Sequence, residues 1–204
     1  MRNRISIYRK LTRLGAWLAS GLLVGQCVLV LVSWLQTAAM PETFPRTLLN
    51  AEGIRWFFGR FTENLMQPMQ VWLLLLCISL GALYRSGLLR FNRREYRQRV
   101  AMRVVFFEFL LFVFVMVCLT MVPHAILLNV MGGIWGSSFT KSLLPYICFA
   151  VMVMSLTFGV ASNRFRSLTE VYEASYFGIR VFAPLYLLYV LSVQLYSSLV
   201  YLYF

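Results

Sequence analysis

Side chains that could carry chemistry are few in this sequence. The chain has one histidine, His124, and seven acidic residues, all of them glutamate. A Ser-His-acid triad or a zinc site needs histidine together with oriented carboxylates or thiolates, and no acidic residue lies near His124 in sequence. We therefore expect His124 to be an ordinary helix-end histidine. We predict no catalytic, cofactor-binding or metal-ligating residues, no cofactor and no enzymatic activity.

One glutamate, Glu108, differs from the rest because it lies inside an apolar run. An ionisable residue within a membrane span is costly unless it is paired or used, which makes it the default functional candidate. Arg103, five residues earlier, offers an ion pair near the start of the run. The sequence favours this pairing and leaves a proton-linked or substrate-linked role as the alternative.

The composition defines the environment of these residues. Hydrophobic residues make up 60% of the 204 residues and charged residues 13%, and the mean hydropathy is +0.73. Globular domains average about half apolar and a quarter charged, whereas a bilayer-spanning helix needs about 20 consecutive apolar residues. The sequence predicts an all-α integral membrane protein, a single membrane domain over 1–204, with spans at about 14–35, 69–84, 104–122, 143–161 and 182–203.

The first apolar run, residues 14–35, follows a basic N-terminal segment, as in a secretory signal peptide. A signal peptide has an apolar core of only about 7–15 residues. This run is longer, so we predict a retained transmembrane helix.

Basic residues outnumber acidic ones by 19 to 7 and flank the apolar runs. This arrangement marks the cytoplasmic side of a membrane protein, so we expect a lipid bilayer and no nucleic acid as partner. The densest basic segment, residues 85–103, is predicted to be a cytoplasmic loop, with the N-terminus on the same side of a bacterial cytoplasmic (inner) membrane. The alternation puts the C-terminus outside, although an even number of spans stays open. Four arginines of this loop are candidates for contact with lipid head groups, namely Arg90, Arg93, Arg94 and Arg97.

Residues 52–65 have a different pattern from the spans. Five apolar residues repeat at helical spacing and face away from Arg55 and Glu63: Ile54, Phe57, Phe58, Phe61 and Leu65. This pattern predicts an amphipathic helix in the membrane interface plane, with Asn50 or one of its neighbours as the N-cap. A helix that binds a partner protein would have the same pattern.

Neutral polar and small residues in the spans are candidates for helix packing. Gln26 can form a hydrogen bond between helices, and Gly21 with Gly25 makes a G-x-x-x-G spacing that permits close helix approach. In the last span Tyr189, Ser192 and Tyr196 form one polar stripe, which we expect to face protein because lipid does not favour hydroxyl groups.

The segment between the third and fourth spans is apolar yet rich in glycine. Irregular backbone at membrane depth can coordinate a ligand, which makes Asn129, Gly132 and Gly133 candidates for an interior polar site. A plain outer loop that dips between the helices is the alternative, and the one that the sequence favours.

Residues 46–89 resemble the N-terminal region of the p-aminobenzoyl-glutamate transporter family (AbgT). In that family a periplasmic segment of the form L-L-x-x-E-G-[IL]-R-[WY] leads to an asparagine and then to a second helix that ends in G-x-x-x-x-S-G-L. The matching residues here are Leu48, Leu49, Glu52, Gly53, Ile54, Arg55, Trp56, Asn64, Gly81, Ser86, Gly87 and Leu88. The acidic residue that the family has before S-G-L is replaced by Tyr84-Arg85, and the chain contains no aspartate.

The resemblance implies a transport-related membrane subunit, since that family exports antibiotic-like or folate-fragment molecules. Its transport site is built from inverted repeats and helical hairpins, for which this chain is too short. We therefore expect the chain to act as a homo-oligomer or beside another membrane protein. The alternative is an accessory or scaffold subunit that transports nothing, in which segments 52–65 and 85–103 dock proteins or lipid.

Overall fold

The structure is a computed structural model that describes residues 2–121 and 138–204. Most of these residues are helical, and the described ranges contain no strand. In chain order the helices are α1 (Arg2–Ala39), α2 (Ala51–Gly59), α3 (Phe61–Leu65), α4 (Pro68–Ser86), a 3₁₀ turn (Leu88–Arg90), α5 (Tyr96–Met121), α6 (Ser138–Ala161) and α7 (Leu168–Tyr203).

Five of these helices, α1, α4, α5, α6 and α7, are long and apolar enough to cross a membrane. A helix satisfies its backbone hydrogen bonds internally, which is what a segment in hydrocarbon requires. In the most apolar part of α5 only 6% of the residues are buried by the protein itself. This confirms the predicted fold class: the chain is an all-α, multi-pass membrane protein, and lipid or other protein must cover these apolar surfaces.

The segment predicted as a basic loop over 85–103 is largely helical. α4 continues to Ser86, a 3₁₀ turn covers Leu88–Arg90, and α5 already begins at Tyr96. The apolar run predicted as 104–122 is therefore only the later part of a longer helix. Hydropathy marks the stretch that can lie in lipid, whereas arginine and glutamine are good helix formers and extend the helix beyond it.

The last span, predicted over 182–203, is only the later part of a longer helix. The structure has one continuous helix over Leu168–Tyr203, with Pro184 inside it. Proline removes one backbone N–H, but a membrane helix tolerates it where neighbouring groups satisfy the freed carbonyl. The polar residues before Pro184 therefore belong to the first turns of the spanning helix.

The predicted interfacial helix over 52–65 is present as two short helices, α2 and α3, interrupted at Arg60. The interruption is small, because the Arg60 N–H still donates to the Trp56 carbonyl and the Asn64 N–H donates to the Arg60 carbonyl. The N-cap prediction is confirmed: the Asn50 side chain accepts a hydrogen bond of 2.6 Å from the Gly53 N–H.

The described helices form two compact units. Unit 1 comprises Met1–Gln70 and Ala183–Phe204. Its apolar core contains Leu29, Leu48 and Leu202, with Trp56 and Tyr201 packed against them. The C-terminal end of α7 thus lies beside the connection that follows α1, which agrees with the alternation of five spans.

Unit 2 comprises Val71–Phe182 and contains two helix contacts of different kinds. α5 packs on α6 through Ala101, Val105 and Phe158. α4 meets α7 at Gly81 and Gly178, where a Cβ atom on either glycine would overlap the backbone of the other helix. Small residues of this kind let membrane helices approach closely. The sequence pattern did not reveal this pair, because the two glycines are far apart in the chain.

Replacing Gly178 by alanine should destabilise the protein, because the new Cβ would overlap the Cys77 carbonyl oxygen. Overpacking of a close contact costs about 1–3 kcal/mol. The unfolding midpoint in detergent, followed by circular dichroism, measures the effect. Gly21→Ala is the matched control, since nothing lies within 4 Å of a Cβ at Gly21. Equal midpoints for the two variants would contradict the observed α4–α7 contact.

Candidate functional site

Glu108 lies on the face of α5 that packs against α6. Ala101, Val105, Glu108 and Phe112 follow each other at intervals of four, three and four residues, which places them on one stripe of the helix. Ala101 and Val105 are buried in the contact with α6. We refer to this stripe and the α6 residues that face it as the α5–α6 seam.

Contacts with α6 continue on the other side of Glu108. The ring of Phe112 lies 5.7 Å from that of Tyr146 and 6.1 Å from that of Phe149, both measured between centroids and both in edge-on geometry. The Tyr146 hydroxyl donates a hydrogen bond of 2.7 Å to the Phe112 carbonyl. Glu108 therefore has packed helix contacts one turn before it and one turn after it.

The predicted ion pair between Glu108 and Arg103 is absent from the structure, in which the only ion pairs between described residues are Arg60–Glu63 and Arg85–Glu173. The spacing explains why. Side chains three or four residues apart are neighbours on a helix, whereas an offset of five residues rotates them about 140° apart. Arg103 is accordingly exposed, on a different face from Glu108.

The Glu108 carboxyl has no partner among the described residues. Its Oε2 atom is shielded from solvent and accepts no hydrogen bond, and the Oγ of the fully buried Ser155 on α6 is also unpaired within residues 2–121 and 138–204. An acidic residue inside a membrane span is costly unless it is paired or used. The Glu108 carboxyl is thus available to accept a hydrogen bond or to pair with a cationic group. No three His, Cys, Asp or Glu side chains gather into a metal site in the part of the chain that the structure describes.

A second polar site connects α1 and α7 in unit 1. Gln26 makes the interhelical hydrogen bond expected of it, with its Nε2 donating to the Ser198 Oγ at 3.0 Å. One turn before Ser198, Gln194 is 95% buried, since its relative exposure is 5%. Neither polar atom of the Gln194 side chain, nor the Gln26 Oε1, has a hydrogen-bond partner among the described residues.

Of the two glycines in the G-x-x-x-G spacing, only Gly25 lies beside another helix in the part of the chain that the structure describes. A Cβ on Gly25 would lie 3.8 Å from the Leu195 Cδ2 atom of α7, which is ordinary contact distance. A Cβ on Gly21 would meet nothing within 4 Å. α1 therefore packs on α7 at Gly25, and the surface around Gly21 is open.

Of the predicted stripe, Tyr189 contacts protein, since its hydroxyl donates to the Leu65 carbonyl at 3.5 Å, whereas Ser192 and Tyr196 are less covered by this chain. Both side chains are exposed, Tyr196 to 68%. The face of α7 that packs in unit 1 carries Gln194 and Ser198, which lie on nearly the same side of the helix, whereas residue 196 is about 160–200° away from them. Both pairs, 192 with 196 and 194 with 198, have the same four-residue spacing. The sequence alone therefore does not show which pair faces the neighbouring helix.

The four arginines that we expect to contact lipid head groups are all exposed: Arg90, Arg93, Arg94 and Arg97. The Arg90 guanidinium lies 5.9 Å from the centroid of the Tyr84 ring. Their exposure is compatible with head-group contact, which stays a prediction. Asn129, Gly132 and Gly133, the other candidates for an interior polar site, lie outside the described residues, as does His124.

Residues of the transporter-like segment mainly shape the backbone. Gly53 packs against the backbone of Thr47 and Leu48 so closely that a Cβ would overlap it. Gly87 follows α4 with a φ of 77°, a left-handed conformation that favours glycine. The adjoining Ser86 is fully buried and its hydroxyl donates to the Leu83 carbonyl at 3.0 Å. These residues fix the backbone conformation where α2 begins and where α4 ends.

Comparisons of the chain with sequence models of protein families, with curated proteins and with solved structures gave no match. The fold and these two polar sites define the chain as a multi-pass helical membrane protein with an unpaired carboxyl in one helix contact.

A hydrophobic carbodiimide should modify Glu108, because such reagents enter the bilayer and react with carboxyl groups, and no ion pair among the described residues holds this one. Peptide mass spectrometry should find the adduct on Glu108 and lose it in Glu108→Gln. The exposed Glu95 serves as an internal control in polar surroundings. An unmodified Glu108 would contradict a carboxyl that lies without a partner inside an apolar span.

Gln194→Met should raise the stability of the protein in detergent. A buried polar group without a partner costs about 1–3 kcal/mol, and methionine has a similar shape without the amide. The free energy of unfolding measures the gain, with the exposed Gln67→Met as control. A loss of stability in Gln194→Met would mean that water or a further group bonds the amide.

Proposed function

We propose that this chain is a transport-related subunit of a bacterial cytoplasmic membrane, working with copies of itself or beside another membrane protein. Its N-terminus and the basic segment over 85–103 face the cytoplasm. Glu108 is the residue that takes part in moving substrate or protons. The chain contributes helices and one titratable group, and the assembly supplies the remaining surfaces of the transport path.

The observation that carries this proposal is the unpaired Glu108 carboxyl in the α5–α6 seam. A structural ion pair would explain a glutamate in a span, but Arg103 is on another face and no described residue pairs with Glu108. Burial of an acidic side chain in hydrocarbon is unfavourable. Because Glu108 has no structural partner that would offset this cost, its presence supports a functional role. α5 also exposes apolar side chains outside the seam, and a second subunit can pack against them.

The resemblance of residues 46–89 to the p-aminobenzoyl-glutamate transporter family supports the transport part of the proposal. The matching residues have definite structural tasks here, at the turn into α2 and at the end of α4. They support a similar arrangement of the first helices. The substrate class that follows, aromatic amides with carboxylates or antibiotic-like molecules, rests on that resemblance alone.

A scaffold subunit without a transported substrate is the second candidate. It is favoured by the four exposed arginines that begin at Arg90 and by the exposed apolar side chains of Ile54 and Phe58 on α2. Surfaces of these two kinds bind anionic head groups and partner helices. The two candidates differ in whether the carboxyl of Glu108 matters for activity.

The test begins with the full chain purified in a mild detergent and its mass measured by native mass spectrometry. We expect a complex heavier than the 23.7 kDa monomer. The complex is then reconstituted, and uptake of p-aminobenzoyl-glutamate is measured. Glu108→Gln should lower uptake at least tenfold, whereas Glu95→Gln, the same change in an exposed connection, should not.

The outcomes separate the candidates. A complex that forms normally but gives no uptake, or uptake unaffected by Glu108→Gln, would contradict the transport role of Glu108 and favour the scaffold. A strict monomer without a partner and without uptake would contradict both candidates. The mass of the Glu108→Gln complex is measured as well, because a loss of uptake could otherwise result from failed assembly.

A further inference from the structure

A polar groove of about 400 Å³ opens in unit 1, at the end where α1 and α7 leave their apolar stretches. It combines three separate parts of the chain: the connection after α1, the α2–α3 pair, and the last turns of α7. We call it the Arg46–Arg60 groove, and it is lined by Arg46, Trp56, Arg60, Asn64, Gln67, Tyr196, Ser197, Val200, Tyr201 and Phe204.

An aromatic pair and Arg46 fix one wall of the groove. The rings of Trp56 and Tyr201 are stacked with centroids 4.2 Å apart at an angle of 16°. The Arg46 guanidinium lies 5.8 Å from the Tyr201 ring centroid, and its Nη1 donates to the Tyr201 carbonyl at 3.2 Å. This bond holds the guanidinium in place and leaves its other N–H groups without a partner among the described residues.

Arg60 and Asn64 provide two more donors in the groove. Arg60 has one ion pair, with Glu63 at 3.7 Å, and both side chains are about two-thirds exposed. An exposed pair of this kind holds its members weakly. The Asn64 Nδ2 atom is shielded from solvent and has no partner within the described ranges. A ligand that offers oxygen acceptors would satisfy all three donors.

The distribution of charge in the groove is uneven. The connection and the α2–α3 pair contain three arginines and three glutamates, so their net charge is zero. The groove is nevertheless lined by two of these arginines and by none of the glutamates. Glu63 pairs with Arg60 from outside the lining, so the charged side chains that a ligand in the groove meets are the two arginines. They select an anion, and guanidinium groups match phosphate oxygens in particular.

The apolar part of the groove indicates what carries the anion. Tyr196, Val200 and Phe204 extend the groove along an exposed face of α7, where Val200 is 39% exposed. A free phosphate would leave this face bare, whereas a phospholipid places its phosphate at the arginines and an acyl chain along α7. Tyrosine and tryptophan at this level are typical of the membrane interface.

We propose that the Arg46–Arg60 groove binds the phosphate of an anionic phospholipid in the leaflet opposite the N-terminus. Arg46 and Arg60 pair with the phosphate oxygens, and Asn64 donates to the head group. The last turns of α7 hold the upper part of an acyl chain. This site is separate from the exposed arginines near Arg93, which belong to the other end of the predicted topology.

The test uses the full chain in nanodiscs that contain a photo-activatable phosphatidylglycerol with its reactive group near the glycerol end of one acyl chain. Peptide mass spectrometry maps the crosslinks. We expect crosslinks on residues 196–204 in the wild type, about tenfold fewer in Arg60→Gln, and none in the double variant Arg46→Gln, Arg60→Gln, because each lost charged hydrogen bond weakens binding by about this factor. Crosslinks near residues 90–97 should persist in every variant and serve as an internal reference.

The matched control removes two basic groups that do not line the groove. Arg55 on α2 and Lys141 on α6 are both exposed, and the predicted topology puts both on the same side as the groove. The variant Arg55→Gln, Lys141→Gln should keep the crosslinks on residues 196–204. Arg60 makes only one weak ion pair, so the single variant Arg60→Gln should fold. If the double variant Arg46→Gln, Arg60→Gln does not fold, the result for Arg60→Gln tests the proposal by itself.

Three results would overturn the proposal. The first is unchanged crosslinking of residues 196–204 in Arg60→Gln. The second is equal crosslinking by the corresponding photo-activatable phosphatidylcholine, which would show that the net charge of the lipid is irrelevant. The third is full competition by millimolar inorganic phosphate, which would assign the groove to a free anion instead of a lipid.

Discussion

The absence of water from the hydrocarbon core of a bilayer is the constraint on which this structure depends. A backbone that meets no water must bond to itself, so each span is a helix and polar side chains in the spans seek partners inside the protein. Gln26 donates a hydrogen bond to Ser198, and the Tyr146 hydroxyl donates one to a backbone carbonyl of α5. Glu108 and Gln194 depart from this pattern, because neither side chain has a hydrogen-bond partner among the described residues.

Helix contacts among the described residues are of three kinds, and the differences follow from the same constraint. Lipid is as apolar as leucine, so apolar side chains gain little by meeting each other in a membrane. Close approach of backbones at Gly81 and Gly178 is one solution, and the polar contact between α1 and α7 is another. The α5–α6 seam relies on interlocking aromatic rings around Phe112 instead.

Much of the fold was predictable, because hydropathy and helical spacing are local properties. The five spans, the all-α class and the Asn50 cap could be taken directly from runs of residues. The position of Glu108 in a span was also predictable, but its pairing was not, since the five-residue offset from Arg103 had to be converted into an angle. The burial of Gln194 rather than Ser192 depends on which face of α7 meets α1. The groove joins Arg46 to Tyr201, residues distant in sequence, so no local pattern contains it.

The uninterrupted course of α7 has a consequence for how the protein sits in a bilayer. Thirty-six residues of α-helix extend about 54 Å, well beyond the hydrocarbon thickness of about 30 Å. The surplus cannot be absorbed in lipid, because Glu170 and Glu173 lie in the first two turns. The rod must therefore project into the aqueous phase at its acidic end. A thicker or thinner bilayer would then cover more or less of this helix, or change its tilt.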